Sequence, residues 1–107
     1  MDHPNKGRVN RDGIRLYDPQ DFAGMHQAGA LAARILDEFA PMVQPGVTTE
    51  ALDSAIEQMV NDAGATSATI GYKGYQHASC ISINHVVCHG IPGPKVLKDG
   101  DILNIDV

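Results

Sequence analysis

The sequence predicts an α+β domain in which two helices cover one side of an antiparallel-rich sheet. Residues 18–64 carry two stretches of apolar side chains at helical spacing, and residues 80–107 carry two stretches that alternate apolar with small or polar side chains. The chain has 107 residues, of which 43% are hydrophobic and 20% are charged. This balance is typical of one folded domain and argues against a disordered chain.

The first helix is predicted to begin at Asp18, which can cap it, because Pro19 suits the first helical position. Pro41 would end it. Its apolar face would comprise Phe22, Met25, Gly29, Ala32, Ile35, Leu36 and Phe39. The spacing of these residues predicts that one face of the helix is buried along its whole length.

The second helix is predicted to begin at Thr48 or Thr49 and to stop at Gly64, a residue that favours helix C-termini. Its apolar stripe would comprise Leu52, Ala55, Ile56, Met59 and Val60. With the first helix it would form a helical hairpin that covers one side of the sheet.

Two strands are predicted in the second half of the chain, one at 80–84 and one at 102–107. The stretch 65–74 is compatible with a strand but is interrupted by glycine. The turn at 98–101 contains Asp99 and Gly100, a pair typical of hairpins. Because the chain stops inside the last strand, which would need partners from elsewhere, we expect it to be the N-terminal part of a larger fold.

Charge divides the chain into a predicted flexible basic arm over 1–15 and an acidic remainder over 16–107. The arm carries four basic and two acidic side chains, whereas the whole chain has a net charge of −5. This balance disfavours a nucleic-acid partner. Neither a secretory signal nor a membrane-spanning run is recognisable, and the two cysteines, Cys80 and Cys88, are expected to be free thiols. We therefore expect a cytoplasmic protein.

Asp106 is the residue most suggestive of chemistry. Alternation places Leu103 and Ile105 on one face of the last strand and Asp106 on the other. A carboxylate among apolar residues is usually kept by a metal ion or a cation, although a half-exposed carboxylate on an edge strand fits the same pattern.

His89 is the second candidate, because a rigid loop containing Gly90 and Pro92 could present its imidazole to a cleft. An ordinary hydrogen-bonded loop histidine is an equal alternative. A metal site shared with His85 is disfavoured, because residues four apart on a strand lie about 13 Å apart.

Tyr72 and Tyr75 flank a glycine turn and could line an apolar pocket with polar tips, or simply pack at a strand end. The pattern alone favours small buried side chains for both cysteines.

Three blocks of the sequence together resemble the type I methionine aminopeptidases. They are GYKGY at 71–75, CISINHVVCHGIP at 80–92 and LKDGDILNIDV at 97–107, and the helical region 18–64 is similar to the same family. The resemblance covers all but the N-terminal arm. It implies the N-terminal half of a pita-bread fold, in which two pseudo-symmetric α+β halves surround a pair of metal ions, and removal of the initiator methionine from nascent proteins.

The resemblance also assigns roles to individual residues. Asp106 would be a metal ligand, and His89 would be a catalytic residue that binds the nitrogen of the scissile peptide. Tyr72, Tyr75 and Cys80 would line the pocket for the methionine side chain. The implied cofactors are two divalent ions (Co, Mn, Fe or Zn) and a monovalent cation near the backbone carbonyls of Asn84 and Val86.

Further expectations follow from the same resemblance. The partners would be the N-termini of nascent polypeptides and the ribosome, with no membrane and no specific nucleic acid, and the complete protein would be a monomer. The 107 residues alone are expected to be inactive, because the family's other metal ligands would lie beyond Val107. The stretch 76–78, Gln-His-Ala, replaces the family's usual Pro-Lys-Ser at the pocket rim.

Two alternatives of the same fold compete with this interpretation. One is a non-catalytic binding protein that contacts the ribosome or nucleic acid, supported only by the basic arm and disfavoured by the presence of Asp106 and His89. The other is a creatinase or proline-peptidase relative, against which Tyr72, Cys80 and the block at 88–92 argue.

Overall fold

The computed structural model describes residues 8–107, which form two compact units, one reaching to Ala30 and the other comprising Leu31–Val107. None of the helices in this part of the chain is long and apolar enough to cross a membrane. The elements in chain order are β1 (Arg8–Val9), β2 (Arg15–Leu16), α1 (Pro19–Phe39), α2 (Thr49–Asp62), β3 (Cys80–Ile83) and β4 (Leu103–Asp106). Short 3-10 turns occur at Ala40–Met42 and Tyr72–Gly74.

The predicted arm contains regular structure that the sequence analysis did not assign to it. β1 and β2 pair in antiparallel fashion, and the Asn10 side chain accepts hydrogen bonds from the backbone N–H groups of Asp12 and Ile14, both at 2.9 Å. Gly13 lies in the left-handed region, with φ of +79°. Two-residue strands alone would not hold this turn, and the side-chain hydrogen bonds of Asn10 supply the additional stabilisation. Residues 1–7 of the predicted arm lie outside the described part of the chain.

Helix α1 begins where the sequence predicts. Asp18 Oδ1 accepts from the Asp21 N–H at 3.1 Å, and Asp21 Oδ2 accepts from the Asp18 N–H at 3.0 Å, so the two side chains cap the helix reciprocally. The prediction of a face buried along its full length is wrong, however. Phe39 is buried, whereas Phe22 is 61% and Met25 is 73% exposed. Periodicity shows that a face can be buried but not whether anything covers it.

Helix α2 also has the predicted ends. The Thr48 hydroxyl accepts from the Ala51 N–H at 3.2 Å and caps the N-terminus. Gly64 follows the helix with φ of +76°, the left-handed conformation that glycine adopts without strain.

Strands β3 and β4 are the two that the sequence predicts, and they pair in antiparallel register with Ile81 opposite Ile105. The turn at 98–101 forms, but it does not close a hairpin, because β4 pairs with β3 and Val96 instead bridges Thr48. Residues 65–74 form turns and a 3-10 turn rather than a strand.

The buried core lies between the helices and one face of the β3–β4 sheet. It comprises Ile35, Phe39, Leu52, Ile56, Val60, Ala78, Ile81, Ile83 and Leu97. The other face of the sheet carries Cys80 and Ser82 on β3 and Asn104 and Asp106 on β4. Packing of the isoleucines against the helices therefore directs these four polar side chains away from the core.

Candidate active site

Asp106 lies directly opposite Cys80 in the antiparallel register of β3 and β4. Residues that pair directly across two strands project from the same face of the sheet. The carboxylate is exposed and forms no hydrogen bond or ion pair with any other residue of 8–107. It is therefore available to a ligand on the face that also carries Cys80.

Tyr75 and Cys80 are in contact. The Tyr75 hydroxyl donates to the Ser79 carbonyl at 2.7 Å and accepts from the Cys80 thiol at 3.6 Å. Burial raises the pKa of Tyr75 well above its usual range, and the hydrogen bond and charge of Cys80 and the charge of Asp53 act in the same direction. The phenol is therefore held neutral and can serve as both donor and acceptor.

Tyr72 is placed differently from Tyr75. It lies in a tight loop in which Gly71, Lys73 and Gly74 all have positive φ, and its side chain is 65% exposed. The Lys73 ammonium lies 5.4 Å from the centre of its ring. The loop is closed by a 2.7 Å hydrogen bond from the Gly71 N–H to the Tyr75 carbonyl. Of the two predicted tyrosines, the structure brings only Tyr75 into contact with Cys80.

His89 is exposed, and its backbone is in the left-handed region with φ of +57°. The next residue, Gly90, is bound to β3 through both of its backbone polar groups. Its N–H donates to Ser82 Oγ at 3.0 Å, and its carbonyl accepts from the Ile81 N–H at 2.8 Å. A Cβ on Gly90 would collide with the Ile81 carbonyl oxygen and lie 2.9 Å from Ser82 Cα. Glycine is thus required beside β3, and it fixes the backbone that carries the imidazole.

A buried polar network next to the Tyr75–Cys80 pair was missed by the sequence analysis. Asp53 on α2 is 4% exposed, and its Oδ1 accepts from the Ser79 hydroxyl at 2.7 Å. Its Oδ2 lies 3.3 Å from His77 Nδ1. A signal was present, because Asp53 falls on the same helical face as Leu52 and Ile56, where a carboxylate needs partners.

Asn84 lies in the left-handed region, with φ of +54°, at the end of β3. Its side-chain amide donates to Asp101 at 3.0 Å and its Oδ1 accepts from the Ile102 N–H at 3.1 Å. The amide of Asn84 and, to a smaller extent, the backbone N–H of Lys98 lower the pKa of the Asp101 carboxyl. These bonds fix the turn whose carbonyls the resemblance assigns to a monovalent cation.

The residues at this face fit one ligand of a metal centre. Asp106 offers a hard oxygen donor with no competing partner among residues 8–107, which suits a divalent ion. Within residues 8–107, no three side chains of the His, Cys, Asp or Glu type cluster closely enough to hold a metal. The described residues therefore offer one exposed carboxylate to a metal ion and do not by themselves form a complete metal site.

A metal titration tests this conclusion. Calorimetric titration of the 107-residue chain with Mn²⁺ or Co²⁺ is expected to show no tight site, because one carboxylate does not retain a divalent ion against water. The Asp106→Asn variant is the control and should give the same trace. Nanomolar binding that persists in this variant would instead indicate a site involving His85 and His89.

Comparison with known proteins extends the description. In fold, the chain is similar to the crystal structure of methionine aminopeptidase from Rickettsia prowazekii, with a TM-score of 0.84, 47% identity and coverage of 88% of this chain and 38% of that one. In sequence, it is 50% identical over 97 residues to methionine aminopeptidase A of Synechocystis and 52% identical over 96 residues to methionine aminopeptidase of Escherichia coli. The Synechocystis match covers 90% of this chain and 38% of the relative, and the Escherichia coli match covers 88% of this chain and 36% of the relative.

The fold is therefore of the pita-bread class, as the sequence resemblance predicts. The family model of metallopeptidase family M24 matches residues 23–107, and the chain belongs to this family. It spans about two fifths of the length of the curated relatives it matches.

Proposed function

We propose that this chain forms part of a metal-dependent aminopeptidase that removes the N-terminal methionine from nascent proteins. The observation that carries the proposal is the register of β3 and β4, which sets a free carboxylate, Asp106, across from the Cys80–Tyr75 pair. A free carboxylate opposite a thiol that is bonded to an aromatic residue suits a metal ligand beside a subsite for a terminal side chain. The match to family M24 and the names of the relatives support the same activity.

In this proposal, Asp106 would be one ligand of a centre of two divalent ions, and the other ligands would lie outside residues 8–107. Divalent ions at such a centre supply an activated water and polarise the scissile carbonyl. Oxygen-rich sites of this kind suit Mn, Fe or Co, and Zn is a further candidate.

The pocket for the methionine side chain is formed in this proposal by Tyr75 and Cys80, with Tyr72 at its rim. Cys80 presents a soft, polarisable thiol and Tyr75 an aromatic ring, both of which suit contact with a thioether. Apolar walls of this kind discriminate against larger side chains by only about 1–3 kcal/mol per methylene. The pocket thus selects an unbranched residue mainly by size.

His89 would hold a proton at the nitrogen of the scissile peptide. The anchored Gly90 next to it restricts the backbone, so the imidazole is displayed from a fixed point beside the sheet. Its exposure leaves the imidazole accessible to a substrate.

Substitution of His89 tests this role. In an active form of the protein, His89→Ala is expected to retain bound metal and to lower kcat by about 10²–10⁴-fold, the usual contribution of a positioned acid. His85→Ala, four residues earlier and also exposed, is the matched control and should turn over normally. Loss of metal from His89→Ala, or an unchanged kcat, would contradict the assignment.

The remaining elements of the proposal concern the surroundings of the site. The carbonyls of Asn84 and Val86 would bind a monovalent cation, and the ribosome would bring the substrate N-termini to a monomeric, cytoplasmic enzyme. No described helix could span a membrane.

Release of methionine from a Met-Ala-Ser peptide by the purified protein, loaded with Mn²⁺ or Co²⁺, tests the function as a whole. We expect release of methionine, dependent on added metal, from a form of the protein that contains all the ligands of the metal centre. A form that carries residues 1–107 together with the remaining metal ligands, binds metal and still releases no methionine would overturn the proposal and favour a non-catalytic binding protein of the same fold.

A further inference from the structure

Two separate contacts connect Asp53 to the pocket segment 75–80. The first runs through Ser79, whose hydroxyl donates to Asp53 Oδ1 at 2.7 Å while its backbone carbonyl accepts from the Tyr75 hydroxyl at 2.7 Å. The second runs through His77, whose Nδ1 lies 3.3 Å from Asp53 Oδ2. The His77 ring packs edge-on against the Tyr75 ring, with centres 5.4 Å apart at 69°.

These contacts restrain both the hydroxyl and the ring of Tyr75. The hydroxyl is connected to the Asp53 carboxylate through Ser79, and the ring is connected to it through His77. Cys80 follows Ser79 directly, and its thiol donates to the Tyr75 hydroxyl at 3.6 Å. Asp53 itself is fixed by the helix α2 and is 4% exposed. A buried carboxylate costs stability unless its oxygens are bonded, and here each oxygen faces one of the two connecting residues.

We propose that Asp53 is a positioning residue for the methionine pocket: acting through Ser79 and His77, it holds the Tyr75–Cys80 pair in the geometry that receives the substrate side chain. This inference rests on the proposed function for the identity of the substrate. The contacts themselves concern only the chain described here, so they can be tested without turnover.

The proposal also explains the stretch 76–78, in which Gln-His-Ala stands where the resembled family usually has Pro-Lys-Ser. His77 forms the second connection to Asp53, and Ala78, which is 3% exposed, belongs to the buried core. The substituted stretch therefore keeps the pocket rim attached to α2.

The test measures how well the Cys80 thiol is protected from reaction with an alkylating reagent in solution. In a Cys88→Ser background Cys80 is the only thiol, and its alkylation by iodoacetamide can be followed by mass spectrometry. Asp53→Ala is expected to accelerate alkylation about tenfold, the effect of losing one hydrogen bond of ordinary strength. Asp62→Ala is the matched control, because Asp62 also lies on α2 and accepts a side-chain hydrogen bond, from Gln58 at 2.7 Å, but is exposed.

Two further variants separate positioning from general stability. Asp53→Asn keeps an oxygen acceptor for Ser79 and should restore most of the shielding. Ile56→Val weakens the buried face of α2 without touching the network and should leave the alkylation rate within about twofold of the parent, even though it costs about 1 kcal/mol of stability. Adding Ser79→Ala to Asp53→Ala should cause no further acceleration, because both changes interrupt the same connection.

The outcomes distinguish this inference from the proposed function. In an active form, Asp53→Ala should raise KM for a Met-Ala-Ser peptide about tenfold while kcat changes less than twofold. If Asp53→Ala leaves Cys80 shielded, or if Ile56→Val exposes it equally, the positioning role is wrong even if the protein is an aminopeptidase. If a form that carries the complete metal centre and binds metal releases no methionine, but the thiol results hold, the proposed substrate is wrong and the structural coupling stands.

Discussion

Replacement of Asp106 by asparagine is expected to abolish aminopeptidase turnover by loss of metal rather than by unfolding. A neutral amide oxygen holds a divalent ion less well than a carboxylate, and an ion held less tightly acidifies its bound water less. The side chain is exposed on the sheet face that points away from the core, so the substitution disturbs no packing. Removal of one negative charge should also reduce repulsion among the carboxylates of the metal-free centre.

The measurement pairs metal content with the melting temperature of the metal-free protein, both taken on an active form. Asp106→Asn should lose metal and turnover while the metal-free melting temperature stays the same or rises slightly. Asp99→Asn is the matched control, since Asp99 is an exposed aspartate in the preceding turn, and it should behave like the parent. Full metal content and full turnover in Asp106→Asn would show that Asp106 is a solvated edge-strand residue.

Replacement of Gly90 by alanine is expected to have the largest effect on stability. The added Cβ would overlap the Ile81 carbonyl oxygen and lie 2.8 Å from its carbon, both of them backbone atoms that cannot rotate away. Relief of the overlap must separate the loop from β3 and break the bonds from the Gly90 N–H to Ser82 and from the Ile81 N–H to the Gly90 carbonyl. We expect a loss of about 3 kcal/mol or more, at or beyond the upper end of the range for overpacked sites.

Gly93→Ala provides the control, because nothing lies within 4 Å of the Cβ it would add. Its N–H bond to the Thr49 hydroxyl, 2.8 Å long, is kept by alanine. Urea denaturation of both variants gives the comparison. If Gly90→Ala and Gly93→Ala unfold at the same midpoint, the loop does not pack against β3 as described.

Local chemistry made the element boundaries predictable. The Asp18–Pro19 pair places the start of α1, Thr48 caps α2, and Gly64 has the left-handed backbone that ends it. These signals act within four residues along the chain, so they need no knowledge of the tertiary structure. The hairpin expected from Asp99 and Gly100 did not form, because pairing partners are selected by long-range packing rather than by the turn.

The candidate site, too, has one part that the sequence predicted and another that it did not. Alternation alone placed Asp106 on the face away from Leu103 and Ile105, and the structure confirms that placement. The contact between Tyr75 and Cys80 spans five residues through an irregular segment, for which the sequence has no periodic signal. The roles of Asp106 and His89 rest on the resemblance, and the substitutions above test them.

What the sequence by itself determined is the order of the two helices and of β3 and β4, the two alternating faces of these strands and the family, because each depends on residue type at short range or on motifs in order. Only the tertiary structure decided which apolar surface is covered and which polar groups meet. The face of α1 at Phe22 and Met25 has the periodicity of a buried helix and yet is exposed. Asp53 meets Ser79, 26 residues away, because burial in a common core brings α2 and the segment 75–80 together, and a carboxylate that is 4% exposed is stable there only with hydrogen-bonding partners.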